Sequence, residues 1–194
     1  GTRDQVQGKG ILVFLDSFRL GAGKAAAGAD APGTKGGTKI VGGAFDPEFT
    51  DTAPEGGLLV GFEIGLGKFV STDIIKAARP IYRAGGKESL GKQYGTDTSR
   101  VVKVVAKEGY AVGAINVRAG LLVDGMSVTF MKVNGPGRLD PKDSYESEWV
   151  GGKGGNAPVR LGGDGTPVIG ITGKSNKTDL TGLGLHQKPP AKSQ

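Results

Sequence analysis

The chain has 194 residues, of which 37 are Gly and 10 are Pro, together about 24% against the roughly 12% of ordinary usage. That load excludes a long helical bundle, since each interior Gly costs a helix about 1 kcal/mol, and the lack of a three-residue Gly period excludes collagen. The net charge of +6 comes from 25 basic residues scattered singly among 19 acidic ones, with only 6% aromatics, unlike the basic stripe and stacking rings of a nucleic-acid binder.

The absence of Cys removes disulfides, thiolate zinc sites and Cys nucleophiles. No apolar stretch approaches the roughly 20 residues that span a bilayer, so no membrane span is expected. The 37% of apolar residues come in short β-type runs, which argues for one turn-rich all-β domain rather than disorder. A chain that begins at Gly1 without Met reads as a processed product.

In chain order, residues 10–20 (GILVFLDSFRL) read as a strand carrying Ile11, Leu12, Val13, Phe14, Leu15 and Phe18. Residues 21–39 are Gly/Ala/Lys-rich and read as a flexible linker. From about Lys39 short strands alternate with Gly, Asn and Pro turns, and the end of the chain is polar with a Pro-Pro pair. The expected organisation is an arm and linker over 1–38, a β body over 39–186 and a tail over 187–194.

Three segments share one pattern: an apolar pair, a glycine, an alternating strand, a turn, and an Asp followed by another apolar strand. They are Leu59–Ile64 leading to Asp73-Ile74-Ile75, Ala111–Ile115 leading to Asp124–Val128, and Val168–Ile171 leading to Asp179–Leu183. Their glycines, Gly61, Gly113 and Gly170, are spaced by 52 and 57 residues. Units of this length hold about four strands, roughly twelve in all, and none can bury its apolar face alone. A pseudo-threefold architecture follows, either a β-prism or a β-trefoil. In the second unit Ile115 and Val117 alternate with Asn116 and Arg118, and Val128 and Phe130 continue the pattern, so these apolar positions are assigned to the core.

The run Gly109–Val128, with Gly120-Leu121-Leu122-Val123-Asp124 inside it, resembles the closing strand–loop–strand of the jacalin-related lectins and its G-x-x-x-D loop. Trp149-Val150-Gly151-Gly152-Lys153-Gly154-Gly155 resembles their GG-x-GG loop, and repeat length and number agree with their β-prism of three Greek keys. The resemblance covers about residues 56–186. The vitelline-membrane outer-layer proteins share the prism and a similar G-Y-A-x-G turn, and Leu139–Trp149 is similar to jacalin-like domains of bacterial extracytoplasmic proteins.

The resemblance implies an all-β prism with three Greek-key units, preceded here by a strand-bearing arm. It also implies a sugar held between the two loops. A glycine lets the sugar ring approach, backbone N–H groups donate, and a carboxylate accepts from two hydroxyls. The candidate carbohydrate-binding residues are therefore Gly120, Leu121, Leu122, Asp124, Trp149, Gly151, Gly152, Gly154 and Gly155. In the third unit Thr181 stands where the Asp is aligned and Lys177 where the Gly is, while the first-unit loop Gly67–Asp73 has no clear match.

Each of these residues also has a structural reading. Asp124 caps a turn, Trp149 packs under the glycine loop, and the glycines form a bulge or tight hairpin where no side chain fits. Tyr82, Tyr94, Tyr110 and Tyr145 read as partly buried packing residues whose hydroxyls reach the surface. The Gly173-Lys174-Ser175 run lacks the earlier glycine of a phosphate loop, and Asn176-Lys177-Thr178 matches a glycosylation sequon. Catalysis is not expected. The single His, His186, lies at the C-terminal end of the body, and the pairs Asp140/Asp143 and Glu146/Glu148 read as solvated loop residues. No cofactor or metal is expected.

Two functions compete. One is a non-catalytic carbohydrate-binding module of a secreted or cell-surface protein. The other is a structural extracellular subunit whose strand Ile11–Leu20 adds to the sheet edge of another copy, building an oligomer or filament, unless the arm folds back on its own body.

Overall fold

The computed structural model describes residues 13–14, 36–135 and 137–189, and contains fifteen strands and no helix among them. In chain order these are β1 (Val13–Phe14), β2 (Val41–Gly42), β3 (Glu48–Thr52), β4 (Leu58–Phe69) and β5 (Thr72–Ala84). There follow β6 (Lys87–Leu90), β7 (Tyr94–Gly95), β8 (Arg100–Val105), β9 (Tyr110–Ala119) and β10 (Val123–Val133). The last five are β11 (Leu139–Glu146), β12 (Val150–Gly151), β13 (Val159–Gly162), β14 (Val168–Ser175) and β15 (Leu180–Gln187). The excess over the expected twelve comes from two-residue strands such as β2, β7 and β12, which flank the hairpins.

Three long hairpins, β4–β5, β9–β10 and β14–β15, each form the centre of one sheet. The first sheet runs β1-β8-β4-β5-β6, with β7 also on β5. The second runs β11-β10-β9-β13, with β12 on β10, and the third runs β2-β15-β14-β3. Because β2 and β3 flank the C-terminal hairpin, the third sheet joins the two ends of the β body and closes a three-sided prism.

The inner faces of the sheets meet in one hydrophobic cluster that includes Phe62, Ile64, Ile75, Ile115, Met126, Phe130, Leu161, Ile171 and Leu185, all at most 1% exposed. Each such side chain stabilises the fold by about 1.5–3 kcal/mol through burial alone. The alternation in β9 is the one the sequence predicts: Ile115 and Val117 point to the core, while Asn116 and Arg118 are only half-buried.

The repeated glycines sit at bulges. Val60 is the unpaired residue before Gly61, Ile169 is the unpaired residue before Gly170, and Gly113 is itself unpaired in the second hairpin. A β-bulge bends and twists its strand, which a hairpin must do to wrap one side of a prism.

Polar bonds lock sheet to sheet. Asp51 on β3 accepts from Tyr82 Oη at 2.8 Å, Tyr94 Oη at 3.3 Å and the Lys92 N–H at 2.8 Å, tying the third sheet to the first. Burial, reinforced by the Asp51 carboxylate, pushes the Tyr94 phenol up to about 12 and raises Tyr82 as well. The β body begins before Lys39, since Gly37 bridges to His186 and Thr38 is buried against β15, and it runs on through Gln187.

Candidate functional site

The chain order of each hairpin is repeated at one end of the prism, where a second bulge interrupts the strand leaving the turn. Lys76 in β5, Asp124 in β10 and Thr181 in β15 are each skipped in the pairing with the first strand of their hairpin. Opposite each bulge lies a glycine with left-handed φ: Gly95 (86°), Gly151 (93°) and Gly42 (92°). A Cβ on any of them would strike the carbonyl of Lys76, Asp124 or Thr181 respectively. Only glycine fits this crossing, both for its φ and for its closeness.

These contacts define three equivalent positions. Thr181 is confirmed as the third-unit counterpart of Asp124. In the first unit the counterpart is Lys76, three residues after Asp73, the residue that the sequence pattern points to. Asp73 instead faces Lys68 at 3.2 Å and Arg100 at 3.7 Å. The sequence carries a signal for this second repeat in Val41-Gly42-Gly43, Tyr94-Gly95 and Val150-Gly151-Gly152.

In the second unit the two glycine-bearing loops meet at Asp124. A Cβ at Gly154 would lie 2.6 Å from Asp124 Oδ1, and one at Gly155 would strike Oδ2. The carboxylate therefore lies directly against a backbone stripped of side chains. The loop is pinned around it: the Gly152 N–H donates to the Asp124 carbonyl at 2.7 Å, and Arg118 Nε donates to the Gly154 carbonyl at 2.9 Å. Asn156 Nδ2 donates to the Ala119 carbonyl at 3.1 Å, and the Gly120 Cβ position lies 3.7 Å from the Gly155 Cα.

Partial burial raises the Asp124 carboxyl above its ordinary value, and the Gly120 N–H and Arg118 charge offset this only in part. An ionised carboxylate offers about four lone-pair sites, of which the Gly120 N–H takes one.

The other candidate residues divide between support and tip. Trp149 lies under the loop: its indole N–H donates to the Gly152 carbonyl at 2.9 Å, and its ring lies where a Gly125 Cβ would fall. Its side chain is half-buried there. Leu122 is half-buried, whereas Leu121 is 83% exposed at the turn. Thr72, on the first hairpin, flanks Gly154 from the other side, with its Cγ2 3.3 Å from the Gly154 Cβ position.

The equivalent positions are filled differently. In the first unit Lys76 Nζ is bound to Asp179 at 2.8 Å, and the Thr96 hydroxyl donates to the Thr178 carbonyl at 2.8 Å. In the third, Gly43 packs against Lys174 and Thr181, and the buried Thr181 hydroxyl has no partner. A carboxylate faces a side-chain-free loop in the second unit alone of the three.

Asp140, Asp143 and Glu146 lie on strand β11 rather than in a loop, and their carboxylates bond within the fold. Asp143 accepts from Tyr110 at 2.5 Å, Asp140 accepts from the Lys142 N–H, and Glu146 accepts from Asn116 and Ser127. Among the described residues no group of three or more His, Cys, Asp or Glu gathers as a metal site. Of the arm, Val13–Phe14 pairs parallel with Val102 and Lys103 of β8, and Ile11, Leu12, Leu15 and Phe18 lie outside the described residues.

No family model and no curated protein matches the chain in sequence. Solved structures match its fold. Artocarpin in complex with mannotriose superposes with a TM-score of 0.60 at 13% identity, covering 81% of this chain and 99% of that one. The mannose-specific jacalin-related lectin of Morus nigra, in complex with mannose, gives 0.57 at 15% identity, covering 84% and 99%. The agglutinin of Calystegia sepium gives 0.57 at 15% identity, covering 82% and 100%. The chain therefore has the β-prism fold of the jacalin-related lectins.

Proposed function

We propose that this protein is a non-catalytic carbohydrate-binding module and that its sugar site is the second-unit loop pair. The observation that carries the proposal is the Asp124 carboxylate set against Gly154 and Gly155. A pyranose presents adjacent hydroxyls as donors and ring oxygens as acceptors. The carboxylate accepts from two hydroxyls, the backbone N–H groups of the Gly154–Gly155 loop donate, and the missing side chains let the carboxylate lie against that backbone. Gly151, Gly152 and Trp149 hold the loop, and Leu121 and Leu122 form the rim.

In this reading Asp124 acts as a hydrogen-bond acceptor for the sugar, and the chemistry is recognition without turnover. A glycan reader of this kind acts where glycans are displayed, outside the cell or at its surface. Two of the fold neighbours were solved with mannose or mannotriose, which makes these the first probes. A glycan array probed with the full chain and with Asp124→Ala tests the reading. Binding lost in the variant supports it, and an array with no bound glycan overturns it.

A second reading draws on the pairing of Val13–Phe14 with the edge strand β8, because an edge that accepts a strand from its own arm can accept the same strand from another copy. Light scattering of the full chain against one lacking residues 1–35 tests that role. Monomers in both cases would overturn it.

A further inference from the structure

The end of the prism that carries Asp124 also carries an unusual set of exposed apolar side chains. Among the described residues, five large hydrophobics are exposed: Phe45 (99%), Val70 (90%), Leu121 (83%), Phe69 (52%) and Leu90 (51%). Four of these, all but Leu90, lie on turns at this one end. Phe69 and Val70 form the turn of β4–β5, Leu121 the turn of β9–β10, and Phe45 follows Gly42-Gly43.

Close contacts join these turns into one surface. The Gly152 and Gly154 loop rests on Thr72 and Asp73, the Gly155 loop on Ala119 and Gly120, and Gly42 on Ala119. Val70 adds an independent sign. It is the only non-glycine residue with positive φ (58°) among the described residues, and a β-branched side chain there is strained. Strain of about 1–3 kcal/mol persists where surrounding structure and function hold it. Here it presents an aliphatic tip to solvent beside Phe69.

The charges between the tips complete the pattern. Lys153, in the loop after β12, and Lys177, in the turn of β14–β15, are exposed at this end, and Lys68, beside Phe69, is exposed while paired with Asp73 at 3.2 Å. Of the acids here, Asp73, Asp179 and Glu48 are engaged by Lys68 and Arg100, by Lys76 and by Lys174, which leaves Asp46, next to Phe45, and Asp124 among the tips.

We infer that this end docks on a lipid bilayer with anionic headgroups. Phe45, Phe69, Val70 and Leu121 enter the boundary between headgroups and acyl chains, while the three lysines contact the headgroups. Separate apolar tips set among cations suit an interface that is apolar below and charged above. They suit a second copy of the chain poorly, because a stable dimer needs about 800 Å² of continuous, complementary surface per partner. The inference does not depend on sugar recognition, although it would bring the Asp124 pocket to the membrane surface.

The test is co-sedimentation of the full chain with sugar-free vesicles, either phosphatidylcholine alone or phosphatidylcholine with phosphatidylglycerol. The wild type is expected to sediment about tenfold more with the anionic vesicles. The exposed-site variant Phe45→Ser/Phe69→Ser/Val70→Asn/Leu121→Ser, with its fold checked by circular dichroism, is expected to stay in solution. Lys68→Glu/Lys153→Glu/Lys177→Glu is expected to lose the preference for anionic lipid. A wild type that stays in solution with both vesicles, or a four-tip variant that sediments equally, would overturn the inference. So would a lipid-free dimer abolished by the tip substitutions, which would assign the surface to another copy of the chain.

Discussion

The carboxylate of Asp124 and the α-carbon of Gly154 are so close that a methyl group on Gly154 would sit 2.6 Å from Asp124 Oδ1. Thirty positions apart in sequence, the two residues are brought together by the pairing of β12 with β10 at Gly151 and Gly125. Gly154 has no positive φ, so Gly154→Ala should be tolerated by the backbone and act mainly by displacing the carboxylate or the loop. The expected outcome is at least a tenfold loss of sugar affinity by calorimetry, with thermal stability lowered by about 1 kcal/mol at most.

The three left-handed glycines opposite the bulges should be far less forgiving. An Ala at Gly42, Gly95 or Gly151 meets both an unfavourable φ and a backbone carbonyl. Each substitution should cost about 2–4 kcal/mol in urea unfolding. Gly85 has a similar φ of 56° but open space around it, and Gly85→Ala should cost only about 1 kcal/mol. Equal costs at all four sites would contradict the threefold crossing described above.

Asp124 should cost stability when ionised, because burial raises its pKa on folding. A raised folded-state pKa favours folding fully below the unfolded value of about 3.9, and that benefit is lost as pH rises through the folded value. Asp124→Asn, which keeps the shape without the charge, should therefore match the wild type near pH 3 and be the more stable protein at pH 7. The gain should stay under about 1 kcal/mol because the carboxylate is only half-buried. Sugar binding by the wild type should weaken as the pH falls and Asp124 takes up a proton.

Lys76 and Asp179 join the first hairpin to the third at 2.8 Å. Burial pushes Asp179 upward, but the bonds from Lys76 and Thr178 outweigh it and hold the carboxyl below its ordinary value. The contribution of the pair is therefore present above the unfolded pKa and lost as pH falls through the lower folded one. Lys76→Met should lower stability by about 1 kcal/mol at pH 7, with the difference fading below about pH 3. Thermal melts of both proteins across that range check it.

The parts of this fold governed by local pattern were legible in the sequence. The glycines at 61, 113 and 170 announced three units because each marks a bulge in a hairpin with the same alternating core face. The meeting of residues 120–124 with 149–155 was legible only through resemblance, since it depends on a long-range pairing. The glycines at 42, 95 and 151 do not stand out as a repeat in the sequence because their neighbours differ: Gly43, Thr96 and Gly152 follow them, and Val41, Tyr94 and Val150 precede them. The difference between Asp73, which the pattern points to, and Lys76, which the bulge selects, has the same origin. The turn before them is Phe69-Val70-Ser71, and the bulge at Lys76, rather than the nearest Asp, sets the equivalence.

The most direct test of the central claim is a titration of the ¹⁵N-labelled chain with mannotriose, followed by amide shifts. The account predicts saturable shifts at Gly120, Gly154 and Gly155, little change at Gly42 and Gly95, and no response in Asp124→Asn. Shifts confined to another face, or an unchanged response in the variant, would contradict it.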